Sequence, residues 1–215
     1  MKIGIYGGSF NPVHFGHVSL ARRAIEELSL DKLLVVRASV SPFKTGENFP
    51  SGLWDRVGRV KAAFADVEKA HVDLREIERG GVSYTIDTVS QIAEEVEKES
   101  PGSTLYYIIG EDSVSGLERW KDYSKLKTLV KFVSFPRTKE SSTEIREIFS
   151  SAGVVLNPDA KIAAAVEKGV LRKNAYCPCR LQKLPEFFCP CEEFKSQLLD
   201  PSFKGFCHCR LYMKP

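Results

Sequence analysis

The sequence predicts a doubly wound, parallel α/β sheet followed by a small cysteine-rich module. Three observations lead there. The apolar run at residues 3–6 ends in Gly7-Gly8 and gives way within a few residues to an amphipathic stretch. That is the strand–turn–helix order that opens such a sheet. Apolar runs and amphipathic stretches then alternate as far as about residue 150, as a sheet covered by helices requires. Finally, all six cysteines lie between Cys177 and Cys209, in three Cys-x-Cys pairs, with none earlier in the chain.

The elements follow in order. Asn11-Pro12 punctuates the first loop, and the first helix begins near Phe15-Gly16-His17 with Val18, Leu20, Ala21 and Ile25 on its apolar face. Residues 32–37 (KLLVVR) read as a buried strand, and residues 39–51 as a loop carrying Ser41-Pro42-Phe43-Lys44. A helix is expected at about 53–65, a short strand at 71–74 and a helix at 85–97, whose inward face is Ile86, Val89, Ile92, Ala93 and Val96. Residues 105–109 form a strand ending in Gly110-Glu111-Asp112, and 131–134 the last strand. Residues 141–149 read as a capped helix, with Ser142 or Thr143 at its start and Ile145 and Ile148 facing inward. A helix over 159–168 closes the first domain or opens the second. We place the break near Gly153, giving domains 1–153 and 154–215, with no Gly/Ser/Pro linker between them.

Composition narrows the function classes. A chain of 215 residues, 43% hydrophobic, can bury a core. Lys and Arg number 31 against 28 acidic residues with no long basic run, which gives nucleic-acid binding no electrostatic support. Met1-Lys2 leads straight into the first strand and no apolar run is long enough to span a membrane, so the expectation is a soluble, cytoplasmic protein. A disulfide scaffold does not suit that reducing compartment.

The first turn carries the most chemistry. Gly7 and Gly8 lack a Cβ, so the backbone can approach a ligand. His14 and His17 fall at the positive end of the first helix, where unpaired N–H groups hold phosphate oxygens. One such histidine reads as structural or solvated; two, at a glycine-rich strand-to-helix junction, read as a nucleotide site. The string GGSFNPVHFGH (7–17) resembles the nucleotidylyltransferase superfamily, marked by His/Thr-x-Gly-His at this junction. In its longer form it resembles the bacterial nicotinate-nucleotide (NaMN) adenylyltransferases, which have a Rossmann-like fold.

Later motifs continue that resemblance in the family's order. Ser41-Pro42-Phe43-Lys44 is similar to its Pro-x-Lys loop, EIERGGVSYTIDT (76–88) to its nicotinate-recognition segment, and Ser142-Thr143-Glu144-Ile145-Arg146 to its Ser-Thr-x-Ile-Arg element. The resemblance implies catalytic roles for His14, His17, Lys44 and Arg146. Substrate or ATP contacts would come from Gly7, Gly8, Ser9, Phe10, Tyr84, Thr85, Gly110, Asp112, Trp120, Ser142 and Thr143. Tyr84 and Thr85 would face the pyridine carboxylate, Trp120 would stack on the ring, and Gly110 and Asp112 would lie against the ATP ribose. Taken singly, Tyr84 and Trp120 read as core or rim aromatics, Asp112 as a helix cap, and Ser142-Thr143 as an ordinary helix start. The implied reaction is in-line attack of the NaMN phosphate on the α-phosphorus of ATP, with Mg²⁺ on the phosphates and pyrophosphate leaving. The chain departs from the family after Phe135-Pro136-Arg137, where only Thr138-Lys139-Glu140 precede Ser141 in place of a longer segment.

The tail, with AYCPCR, FFCPCEEF and GFCHCRLY, resembles the catalytic chain of ferredoxin:thioredoxin reductase. That resemblance implies a [4Fe–4S] cluster on Cys177, Cys189, Cys191 and Cys207, a redox disulfide between Cys179 and Cys209, and His208 assisting proton transfer. Ferredoxin and thioredoxin would be partners. On residue chemistry alone, four thiolates suit iron–sulfur or zinc, although zinc sites more often use wider Cys-x₂₋₄-Cys spacing. Two functions of different class therefore stand: an NaMN adenylyltransferase carrying a redox module, or an iron–sulfur thiol/disulfide reductase whose nucleotide domain only binds. Nucleotidyl transfer to another phosphate ester, such as a phosphopantetheine, is a third, which the Ser-Tyr-Thr-x-Asp-Thr segment and Trp120 disfavour.

Overall fold

The computed structural model describes residues 1–43, 55–136 and 140–215. Lys44, the first residues of the expected second helix and the abbreviated stretch 137–139 lie outside the described residues. Contacts divide the chain into two compact units. One comprises Met1–Ser9, His17–Glu47 and Val67–Thr138; the other comprises Phe10–Gly16, Asn48–Asp66 and Lys139–Pro215. The second unit thus draws on residues from both sides of position 153.

The first unit is the parallel sheet. Its strands are β1 (Lys2–Gly8), β2 (Lys32–Arg37), β3 (Ala70–Asp73), β4 (Thr104–Gly110) and β5 (Lys131–Phe135), in the order β3-β2-β1-β4-β5. All four pairings are parallel. β2 is buried along almost its whole length and β1 through residues 3–6, because helices cover both faces of a parallel sheet. Ile3, Ile5, Leu34, Val36, Leu105 and Tyr107 form one core with Ile86, Val89 and Ile92 of α4 (Thr85–Glu99). α1 (Phe15–Glu27) follows β1, as its apolar spacing predicts. The winding reverses between β1 and β4, the crevice where doubly wound sheets bind ligands. Short pieces escaped the sequence pattern: α3 (Arg75–Arg79), a 3-10 helix (Glu111–Arg119) and α5 (Tyr123–Leu129). Each is too short for periodicity to declare itself.

The second unit contains α2 (Arg56–Phe64), α6 (Ser142–Ser151), α7 (Ala160–Arg172) and α8 (Glu192–Leu198). It also has a small antiparallel sheet, unforeseen from sequence, in which β8 (Tyr212–Lys214) lies between β6 (Val155–Leu156) and β7 (Gly205–Phe206). Caps define the helix starts. Asp55 accepts the Gly58 N–H at 2.9 Å, and Asp159 accepts from Lys161 and Ile162. The cap of α6 is Ser141, accepting the Glu144 N–H at 3.3 Å, one or two residues ahead of the expected Ser142 or Thr143. Ser141-Ser142-Thr143-Glu144 has the spacing of a capping box, which selects the first of the three hydroxyls. The core joins Ile145 and Phe149 of α6 to Val170 of α7, Phe194 and Leu198 of α8, and five of the six cysteines. No helix among the described residues is long and apolar enough to cross a membrane.

Candidate functional site

In the first unit, the strands beside the reversal end in small residues: Gly7-Gly8-Ser9 after β1 and Gly110 at the end of β4. The glycine at position 7 has a packing cause, since an added Cβ would run into the Tyr107 hydroxyl. That phenol is bonded to the Thr85 side chain, and burial pushes its pKa upward. Thr85, expected at the pyridine carboxylate, therefore turns its hydroxyl toward Tyr107. His17 packs at 6.4 Å from the Tyr6 ring. Tyr84 is half-buried with the Lys121 ammonium 4.5 Å from its ring centroid. Asp112 is exposed in the first turn of the 3-10 helix. Trp120 packs edge-on against Tyr107 at 5.6 Å and Phe132 at 6.1 Å. It also lines an open cleft of about 720 Å³ with Glu118, Asp122 and Tyr123. Arg37 is buried at the end of β2 and aligned with Gly8 in the sheet register, a placement the sequence reading did not single out. Its Nε meets no acceptor among the described residues, and desolvation lowers its pKa. A basic residue ending an apolar strand was the only available signal.

The second unit gathers other residues that the sequence resemblance assigns to a nucleotide site. Arg146 is buried; its Nη1 donates to the Asn11 carbonyl at 2.7 Å and its Nη2 to Thr143 Oγ1 at 3.1 Å. Ser142 Oγ donates to the Pro12 carbonyl at 2.9 Å. The first turn of α6 is thus laced to residues 11–12, two residues ahead of His14. His14 is buried, with its Nδ1 3.8 Å from a Glu140 carboxylate oxygen. Phe10 is 2% exposed, with its ring edge-on to Phe64 at 5.9 Å, so its side chain is core.

The cysteines form a pocket in the same unit. Cys177, Cys189, Cys191, Cys207 and Cys209 line one cavity of about 10 Å³, whereas Cys179 is exposed. All six are free thiols, so the expected Cys179–Cys209 disulfide is not formed. The Cys209 sulfur instead lies 3.7 Å from Cys207 and bonds Cys177 as well. Those bonds pull Cys177 down to about 6 and Cys207 down to about 7, and push Cys209 up. Burial raises Cys191 to about 12 and also raises Cys189. Tyr212 N–H donates to the Cys207 sulfur at 3.3 Å. Among the described residues, no group of three or more His, Cys, Asp or Glu is gathered closely enough to hold a metal ion, so the expected quartet shares a cavity without closing on a centre. The buried cation beside it is Arg59 of α2. Its Nε donates to Glu167 at 2.8 Å, it lies 6.0 Å from the Tyr212 ring centroid, and it bonds Cys189.

A parallel sheet with this reversal, small residues at both flanking strand ends and a histidine-bearing turn into α1 define a nucleotide-binding α/β protein. The chain belongs to the cytidylyltransferase-like family, which it matches over residues 5–162. Two relatives are named "Probable nicotinate-nucleotide adenylyltransferase". That of Gemmatimonas aurantiaca is 39% identical over 137 residues, 64% of this chain and 62% of the relative. That of Opitutus terrae is 42% identical over 137 residues, 64% of this chain and 68% of the relative. The chain thus spans about two thirds or less of their length. A solved structure from Vibrio parahaemolyticus shares the fold at a TM-score of 0.51 and 22% identity, covering 70% of this chain and 87% of that one. The family match stops ahead of the first cysteine, Cys177.

Proposed function

We propose that the chain transfers the adenylyl group of ATP to nicotinate mononucleotide, forming nicotinate adenine dinucleotide and pyrophosphate, a step of NAD biosynthesis. One observation carries the reading. The two strand ends at the reversal carry small residues, Gly8-Ser9 after β1 and Gly110 at the end of β4, and His17 follows in the first turn of α1. The names of the two relatives supply the substrate. A phosphate oxygen of the mononucleotide attacks the α-phosphorus of ATP. A new P–O–P bond forms, the bond to the β-phosphate bridging oxygen breaks, and pyrophosphate departs with its charge on Mg²⁺ and cationic side chains. His14, His17, Arg146 and Lys44 are the side chains assigned to that charge. Arg146 enters this role already aimed, because two of its nitrogens are fixed by Asn11 and Thr143. No side chain needs to act as nucleophile. Trp120, lining an open cleft, is assigned to the pyridine ring.

The assay is pyrophosphate release with ATP and Mg²⁺, comparing nicotinate with nicotinamide mononucleotide. Release favouring the nicotinate form is expected. His17→Ala should cost roughly 10²–10³-fold in kcat with an unchanged melting temperature. No release from folded protein that binds ATP would reject the reading in favour of the reductase alternative.

A second reading concerns the cysteine pocket: that it holds a [4Fe–4S] cluster on Cys177, Cys189, Cys191 and Cys207. The donor set fits a thiolate-held centre. Four buried sulfurs share one cavity, and the Tyr212 N–H already points at the Cys207 sulfur. The cavity itself holds about one water, so a cluster requires those thiols to stand further apart. Bound there, a cluster would supply one-electron transfer, with Cys179 and Cys209 as the exchanging thiols and ferredoxin and thioredoxin as partners. Iron and acid-labile sulfide in anaerobically purified protein are expected; zinc without iron would overturn it.

A further inference from the structure

A chain of polar contacts runs from Lys195 through Glu140 to His14 and the Gly16 N–H of α1. Glu140, next to the cap of α6, has a side chain 25% exposed. Its Oε2 accepts the Gly16 N–H at 3.2 Å and lies 3.8 Å from His14 Nδ1. Its Oε1 accepts from Lys195 Nζ at 2.8 Å. Lys195 is only 7% exposed, a costly place for an ammonium without partners. Burial works against its charge, but hydrogen bonds to Glu140 and Glu192 outweigh it and hold the group above the usual lysine range. Lys195 belongs to α8, whose N-cap is Cys191, one of the thiols lining the pocket. Neither the core of α8 nor the cap of α6 needs this contact: Phe194 and Leu198 pack the helix, and Ser141 caps α6.

We propose that Glu140 is a positioning residue of the transferase site, and that Lys195 makes its position depend on the helix that starts at Cys191. The inference rests on the adenylyl-transfer reading. At 3.8 Å the Glu140 carboxylate is a charge neighbour of His14 Nδ1 rather than its hydrogen-bond acceptor, and its field biases the orientation of the imidazole. The same carboxylate holds the Gly16 N–H, so His14 and the first turn of α1 are registered to one group. Lys195 fixes that group from the other side. Cys191 precedes Lys195 by about one helical turn, so displacement of its sulfur tilts the turn that presents the ammonium. The cysteine pocket thereby gains a route of fixed contacts to His14, all within one compact unit.

The test uses the full chain. It has only four histidines, so ¹⁵N-imidazole resonances are few, and the His14 signals are identified by their loss in His14→Asn. Glu140→Gln and Lys195→Met should each shift the His14 signals and leave those of His71 in place, and Lys195→Arg should restore them. In pyrophosphate release, Glu140→Gln should lower kcat roughly 10–100-fold with the KM for ATP within about threefold, the split expected when positioning rather than binding is lost. Lys195→Met should lose the same factor, and the double variant no more than either single one, because both cut one linkage. His14 signals that stay fixed in Glu140→Gln, or losses that multiply in the double variant, would overturn the proposal. A wild-type chain that releases no pyrophosphate with either mononucleotide sinks the transferase reading instead, and the histidine signals still decide the link.

Discussion

Gly7 is occupied from across the sheet. The Tyr107 hydroxyl of β4 fills the place of its missing Cβ, and that hydroxyl is committed to Thr85 in a buried setting. A methyl at position 7 must displace the phenol, and with it the Thr85 bond. Gly7→Ala should therefore destabilise the fold by about 1–3 kcal/mol, as overpacking of a tight core does. A lowered urea midpoint at unchanged m-value is the expected reading. An unchanged midpoint would mean that the phenol yields freely. The glycine was legible as a turn signal, but not its packing role, because Tyr107 is one hundred residues away in sequence and adjacent only through the β1–β4 pairing.

At the scale of elements, α2 departs most from its sequence pattern. An arginine on an amphipathic helix is expected to face water, yet Arg59 is 1% exposed. Its charge is compensated by Glu167 of α7, while the Tyr212 ring and Cys189 pack beside it. The pair is lopsided in burial, with side-chain exposures of 2% for Arg59 and 21% for Glu167. Removing the carboxylate leaves a buried cation; removing the cation leaves a carboxylate that water can reach. Glu167→Gln should thus cost about 3 kcal/mol and Arg59→Met distinctly less, as urea unfolding would measure. The reverse ranking would falsify this account of the pair. The strands of the parallel sheet, by contrast, were legible to within about two residues, because a parallel strand buried on both faces announces itself as an unbroken apolar run, as KLLVVR does.

For the whole molecule, the cysteine-bearing unit includes residues 10–16 and 48–66 as well as 139–215. Cutting the chain at the predicted boundary after Gly153 would strip Arg59 of Glu167 and Tyr212, and Ile145 and Phe149 of Val170, Phe194 and Leu211. A fragment of residues 1–153 should therefore melt well below the full chain or fail to stay soluble. Cooperative unfolding of that fragment at the full-chain temperature would restore the simple two-domain division. Nothing in the composition near Gly153 signals this, since the ties that cross the position are made between residues far apart in sequence.

The amino-acid order alone determined the alternation of strand and helix, the glycine turn into a histidine-bearing helix, and the confinement of all cysteines to one segment. Each of these is written in residues a few positions apart, within reach of a turn or a pleat. Only the tertiary structure decided that Arg59 is buried against Glu167, 108 residues on, that Lys195 reaches Glu140 across 55 residues, and that five cysteines close on one cavity. A charged side chain goes inside only where a distant partner compensates it, and no local pattern reveals that partner before the chain has folded.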